Sequence, residues 1–254
     1  MSLAACAGLV ERGDPDRFAA VMAAPVAARD RLWPLYAFNL EVARAPWVTR
    51  EPLIAEMRLQ WWRDVVADPN PCAHEVAGPL HGVIRSQALP VKLLDRLIGA
   101  RQWDIHAGAF ADRAAVDVYL EDTGAGLMWL AALALGAAPQ WEAVARGLGW
   151  ATALAGFLRA VPELAARGRL PLVDGRAPAV ADLARDGLIR MAAARAARRA
   201  LSGPAAAALL ASWQTEALLR QVVRDPMVVA EGRMGLSEFS RRSRLLWQAG
   251  TGRW

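Results

Sequence analysis

Carboxylates on a helix can share a hard cation such as magnesium only when they lie on one face, which requires spacings of three or four residues. Glu41, Glu56, Asp64, Glu121 and Asp122 are the acids nearest the candidate chemistry, and no two of them stand at that spacing on one helix. His74, His81 and His106 are scattered without metal-type spacing, as are Cys6 and Cys72. There is no CxxC, no nucleophile elbow and no Gly-rich phosphate loop; Gly147-Leu148-Gly149 reads as a helix-packing feature. Arginine is the other chemical resource. Arg58, Gln60, Trp61, Trp62, Arg63 and Asp64 form a dense polar-aromatic stretch. It either grips a ligand head group or a partner, or buries a Trp and pairs its arginines with Glu41, Glu56 and Asp64. Arg159, Arg167 and Arg169 carry forked donors that suit phosphate; the alternative is pairing with Glu163 and packing of the 166–171 loop. Tyr36, Tyr119 and Trp33 are core residues or ligand contacts.

The elements that must position these groups are helices. Pro25, Pro52, Pro90 and Pro204 each precede a long Ala/Leu/Arg-rich run, as proline does at a helix start. Strand-type alternation never persists for five residues. The pattern predicts helices over 15–23, 25–45, 51–67, 76–87, 90–107, 112–121, 123–136, 139–165, 178–201, 204–223 and 236–248. Loops are short except 68–75 and 166–177. Helices such as 123–136 and 147–158 are Ala-rich and weakly amphipathic, which implies burial on most sides. A central helix pair surrounded by others encloses a cavity. No repeat or linker divides residues 1–254, so one domain is expected.

Composition narrows the function classes. The chain has 254 residues, is 55% apolar and carries a net charge of +5. From residue 181 onward twelve Arg face six acids, while the first 180 residues are close to neutral. A basic C-terminal third either meets an anionic membrane or acidic partner, or is a solvated helical face. Nucleic acid is not expected: Arg185, Arg190, Arg195, Arg198 and Arg199 form no recognition module. Lys92 is the only lysine, which reads as genomic bias. Two cysteines and no signal-peptide pattern point to a reducing compartment, the cytoplasm. Thr123 to Trp141 lacks charge, but its glycines and Pro139 mark a buried helix ending near Gly136 rather than a membrane span.

Four segments, in order, resemble the squalene/phytoene synthase family. Arg31-Leu32-Trp33-Pro34-Leu35-Tyr36-Ala37-Phe38 is similar to its "ALYAF" helix. Tyr119-Leu120-Glu121-Asp122-Thr123-Gly124-Ala125-Gly126 is similar to its small-residue helix start. Gly156-Phe157-Leu158-Arg159-Ala160-Val161-Pro162-Glu163-Leu164 falls at its second aspartate-rich motif. Arg167-Gly168-Arg169-Leu170-Pro171 is similar to its "RGRxYLP" loop. The resemblance covers about residues 15 to 250 and implies an all-α isoprenoid-synthase-type bundle around a central cavity. It also implies a reaction: an allylic diphosphate is ionised and condensed head-to-head with a second one, its leaving group neutralised by carboxylate-held Mg2+.

The carboxylates that this reaction needs are absent. Seven to eleven residues after Tyr36, the first motif reads Ala43, Arg44, Ala45, Pro46, Trp47, and Arg44 would repel a metal. The second motif keeps Leu158-Arg159 and Glu163 but has Ala160 and Leu164 where aspartates are expected. Tyr36 to Ala43, Met57 to Arg63 and Leu158 to Pro162 are similar to a divergent branch that includes an assembly factor of mitochondrial respiratory complex I. That likeness implies a non-catalytic protein at the cytoplasmic face of the inner membrane, with an isoprenoid, lipid or complex I partner and no cofactor. The rival expectation is a prenyl-diphosphate condensing transferase with rearranged Mg2+ ligands. Candidate cavity residues on either reading are Tyr36, Glu41, Arg44, Gln60, Trp61, Arg63, Asp64, Tyr119, Arg159, Glu163, Arg167 and Arg169.

Overall fold

The computed structural model describes residues 3–49, 51–68, 70, 73–106, 108–198 and 203–254. Every regular element among them is helical. The predicted Cys72, Arg199 and the end of the 178–201 helix lie partly or wholly outside the described residues.

Helix α1 (Leu3–Gly13) is followed at once by α2 (Pro15–Ala23). The boundary is chemical: the Asp14 side chain accepts from the Arg17 N–H at 2.9 Å and Pro15 supplies the first helical position. Next come α3 (Val26–Arg44), a 3₁₀ turn at Ala45–Trp47, α4 (Pro52–Ala67), α5 (Ala77–Gln87), α6 (Val91–Ala100) and the short α7 (Gln102–His106). α8 (Arg113–Leu120), capped by Asp112, runs through a π-helical turn at Glu121–Ala125 into α9 (Gly126–Ala134). The second half holds α10 (Glu142–Ala166), α11 (Ala177–Ala196), α12 (Ala206–Leu209), α13 (Thr215–Arg224), α14 (Met227–Ala230) and α15 (Glu238–Thr251).

α3, α9 and α10 are the interior. Leu32 to Leu40 of α3 are all buried, and α9 is buried at every position but Leu133. α10 packs on α9, α11, α13 and the π turn. One cluster of buried residues reaches from Cys6 to Trp254. The uncharged Thr123–Trp141 stretch belongs to this interior: α9 stops at Ala134, and Gly136 takes a φ of +84° that ends it. No helix among the described residues is long and apolar enough to cross a membrane.

The elements depart from the expected helices in four places. α1 was not among them. The 90–107 helix breaks at Arg101, whose N–H bonds Ile98 O rather than the carbonyl four residues back. The 204–223 helix breaks into α12, a 3₁₀ turn and α13. The 112–121 and 123–136 helices are instead one rod, joined by the π turn.

Candidate functional site

The bundle encloses a cavity of about 300 Å³. One face of α3 supplies Tyr36, Asn39 and Ala43, continued by Trp47. Opposite, α10 supplies Gly149, Thr152, Ala153, Gly156, Phe157, Ala160 and Leu164, the three-and-four spacing of one helical face. Leu120, Thr123, Gly124, Leu127 and Met128 close the side, with Arg17 and Ala211 at one edge and Arg101, Asp104 and Tyr119 at another.

The π turn is held against α10 by the absence of side chains. A Cβ on Gly124 would come within 2.2 Å of the Ala153 Cβ and 2.8 Å of Gly149 O. A Cβ on Gly149 would come within 2.6 Å of Gly124 O. The two backbones therefore touch, and the extra residue of the π turn brings Thr123 and Gly124 into the wall. Thr123 Oγ1 donates to Tyr119 O at 2.6 Å.

The break at Arg101 turns a charged cluster inward. The Arg101 guanidinium donates to Asp104 Oδ2 at 3.3 Å and to Tyr119 Oη at 3.0 Å. The Tyr119 hydroxyl donates to the Asp104 carboxylate at 3.1–3.2 Å. Burial holds the Asp104 carboxyl above its ordinary value in spite of Arg101 and Tyr119. Burial also opposes the charge on Arg101, but Tyr119 and Asp104 outweigh it and keep the guanidinium protonated. Burial raises the Tyr119 phenol, so it stays a donor. Arg169 reaches the same place from outside, donating to the carbonyls of Trp103 and Asp104.

Trp47 forms part of the wall and meets two cations. Arg167 and Arg169 each place their guanidinium carbon 4.7 Å from its ring centroid. At the other edge Arg17 lies 5.0 Å from the Tyr36 ring and pairs with Asp14 at 2.8 Å.

Of the twelve residues expected at the cavity, Tyr36 and Tyr119 line it. Glu163 and Arg167 pair at 2.6 Å in a shallow hollow beside Trp47. Arg159 faces a neighbouring hollow, where it donates to Asp16 at 3.0 Å. The others lie elsewhere. Arg44 is exposed and lies along α1, close enough that a Cβ on Gly13 would be 2.7 Å from its guanidinium. Glu41 is on α3 but not in the wall. Gln60 donates to Asp64 at 2.8 Å on the exposed side of α4, and Arg63 pairs with Asp95. Trp61 is 39% exposed and packs edge-on against Trp62, whereas Trp62 is core.

The placement of Arg44 changes the argument about metal. The cavity-facing positions of the first motif are Ala43 and Trp47, and those of the second are Ala160 and Leu164. All four are apolar, and Arg44 does not face the cavity. Among the described residues no three His, Cys, Asp or Glu side chains converge as a metal site. Magnesium needs oxygen donors, and Asp104, the only carboxylate among the described wall residues, is engaged by Arg101 and Tyr119. These residues do not fit a magnesium cluster.

Asn39, Arg101 and Asp104 were not anticipated from the sequence. The signals were present: Asn39 stands three residues after Tyr36 on the same face, and Arg101 and Asp104 are an i, i+3 charge pair.

Comparison with known proteins agrees with this architecture. The squalene synthase HpnC from Alicyclobacillus acidocaldarius superposes with a TM-score of 0.76 at 15% identity, over 92% of this chain and 95% of that one. A dehydrosqualene synthase solved with a ligand gives 0.78 at 14% identity, over 98% and 95%. These likenesses show the fold. By sequence, the NADH dehydrogenase (ubiquinone) complex I, assembly factor 6 of Bos taurus is 27% identical over 169 residues, 65% of this chain and 51% of the relative. The chain spans about half the length of the curated relatives it matches. The squalene/phytoene synthase family model matches residues 10–238, and the chain belongs to that family.

Proposed function

We propose that this protein uses the synthase scaffold to bind rather than to condense, and that it serves in the assembly of respiratory complex I. The observation that carries the first half is the apolar set Ala43, Trp47, Ala160 and Leu164 on the two faces where the family's metal carboxylates would stand. Without metal or free cations there, nothing neutralises a departing diphosphate. Cavity size supports the same reading. A cavity of about 150 Å³ holds benzene, so about 300 Å³ accommodates roughly a dozen non-hydrogen atoms, too few for two prenyl chains side by side. The second half is supported by the relatives named as complex I assembly factors. On this reading the protein works at the cytoplasmic face of the respiratory membrane and holds an isoprenoid or lipid chain.

Purified protein incubated with farnesyl or geranylgeranyl diphosphate and Mg2+ should release no diphosphate and form no C30 or C40 product. Product formation would restore the rival reading, a transferase with rearranged ligands. A deletion strain should lose complex I activity, and normal complex I would remove the assembly role.

A further inference from the structure

The polar atoms of the cavity wall are nearly all engaged. Arg17 is paired with Asp14, and Arg101 with Asp104 and Tyr119. Thr123 donates to Tyr119 O, and Thr152 donates to Leu148 O and meets Thr215 Oγ1 at 3.0 Å. Arg167 and Arg169 are held by Glu163 and by backbone carbonyls. Three groups are not engaged: the Arg101 Nε, part of a guanidinium already paired through its Nη1, and two groups on α3. Asn39 is 6% exposed, yet its Oδ1 has no hydrogen-bond partner. Tyr36, 2% exposed and one helical turn earlier on the same wall, has a hydroxyl that bonds to no described residue. Burial raises that phenol to about 12, against a smaller lowering by Arg17, so it remains a donor at neutral pH.

An acceptor and a donor left open on one helical turn suit a group that both donates and accepts. A hydroxyl does so; an ether or a hydrocarbon does not donate, and a diphosphate at neutral pH only accepts. A diphosphate would in addition have to shed its water against Ala43, Ala160 and Leu164, with each wall cation already paired. We infer that the cavity selects an uncharged, single-chain lipid alcohol, seated with its hydroxyl between Asn39 Oδ1 and the Tyr36 hydroxyl. This inference rests on the binding reading above and adds the head-group chemistry. An unpartnered buried acceptor costs about 1–3 kcal/mol, so an alcohol that satisfies it should be favoured about tenfold over the matching ether.

The test uses the full chain, without metal, and three ligands of one chain length: geraniol, geranyl methyl ether and geranyl diphosphate. Calorimetric titration should give geraniol a Kd about tenfold lower than the ether and lower than the diphosphate. Asn39→Leu should bring geraniol to the ether's affinity while leaving the ether unchanged. If that variant does not fold, Tyr36→Phe, which removes the hydroxyl alone, should narrow the same gap, and the wild-type ligand series stands by itself. Equal binding of alcohol and ether would overturn the head-group assignment and leave the binding function intact. Tighter binding of the diphosphate would also overturn it. Failure of all three ligands to bind would overturn both.

Discussion

Asp104 shows how a single side chain can be held in place by what surrounds it. Its carboxylate is 4% exposed as a residue and faces a guanidinium whose side chain is 14% exposed. Removing one member of a buried pair leaves the other charge uncompensated, which costs about 3–5 kcal/mol. Asp104→Ala should therefore lower stability by about that amount, read as a shift of the denaturation midpoint. Arg101→Met combined with Asp104→Ala should recover part of it, because both charges are then gone. This cluster also shows where sequence reasoning stops. Tyr36 and Tyr119 were legible because a motif marks them. Asn39 was not, because a lone amide inside an apolar run shows no periodicity until the neighbouring helices define which face is the wall. Arg44 was misplaced for the opposite reason. Its position within the motif was right, but a helix turns by about 100° per residue, so Ala43 faces the cavity and Arg44 faces α1.

At the scale of elements, prolines made several helices legible: Pro25, Pro52 and Pro90 stand at the starts of α3, α4 and α6 as expected, while the caps Asp14 and Asp112 emerged with the structure. α1 carries no such punctuation, and the breaks at Arg101 and Leu210 follow from packing rather than from local signals. α15 is fastened by the buried Gln248, which donates to Trp213 O, and by one carboxylate. Asp16 of α2 receives Arg159 of α10 and Arg241 of α15. Burial pushes the Asp16 carboxyl up, but hydrogen bonds from Arg159, Gln214 and Arg241 outweigh it and hold it below the ordinary 3.8. The unfolded chain therefore binds this proton more readily. The stability that the contact contributes is present above about pH 3.8 and is lost as pH falls through the lower native value. Hydrogen-exchange protection of α15 should hold in the wild type from neutral pH to that range and fall below it. Asp16→Asn should show the loss already at pH 7; unchanged protection would mean that the helix is held by other contacts.

At the scale of the molecule, the charge asymmetry of the sequence becomes a place. Arg195, Arg198 and Arg253 gather where the ends of α11 and α15 meet, with Arg198 donating to Gly252 O. Burial first, then Arg253 and Arg195, hold the Arg198 guanidinium below its usual value. Along α15, Phe239, Leu246 and Trp247 are exposed beside Arg242, which meets Glu238 at 3.7 Å, while Arg241 is engaged with both Asp16 and Glu238. Apolar and basic groups on one helix suit an anionic bilayer surface. The protein should co-sediment with phosphatidylserine vesicles at low salt and be released at high salt. Arg242→Glu with Trp247→Ala should weaken that binding, and no co-sedimentation at low salt would remove the membrane contact.

The touching backbones of Gly124 and Gly149 bear on all three scales. Where two main chains meet with no side chain between them, no rotamer can swing aside to make room. That part of the wall is fixed, while at Trp47 the wall is a side chain with two arginines against its ring. Any side chain added at either glycine has to move a whole helix, so this stretch of wall resists change as backbone does.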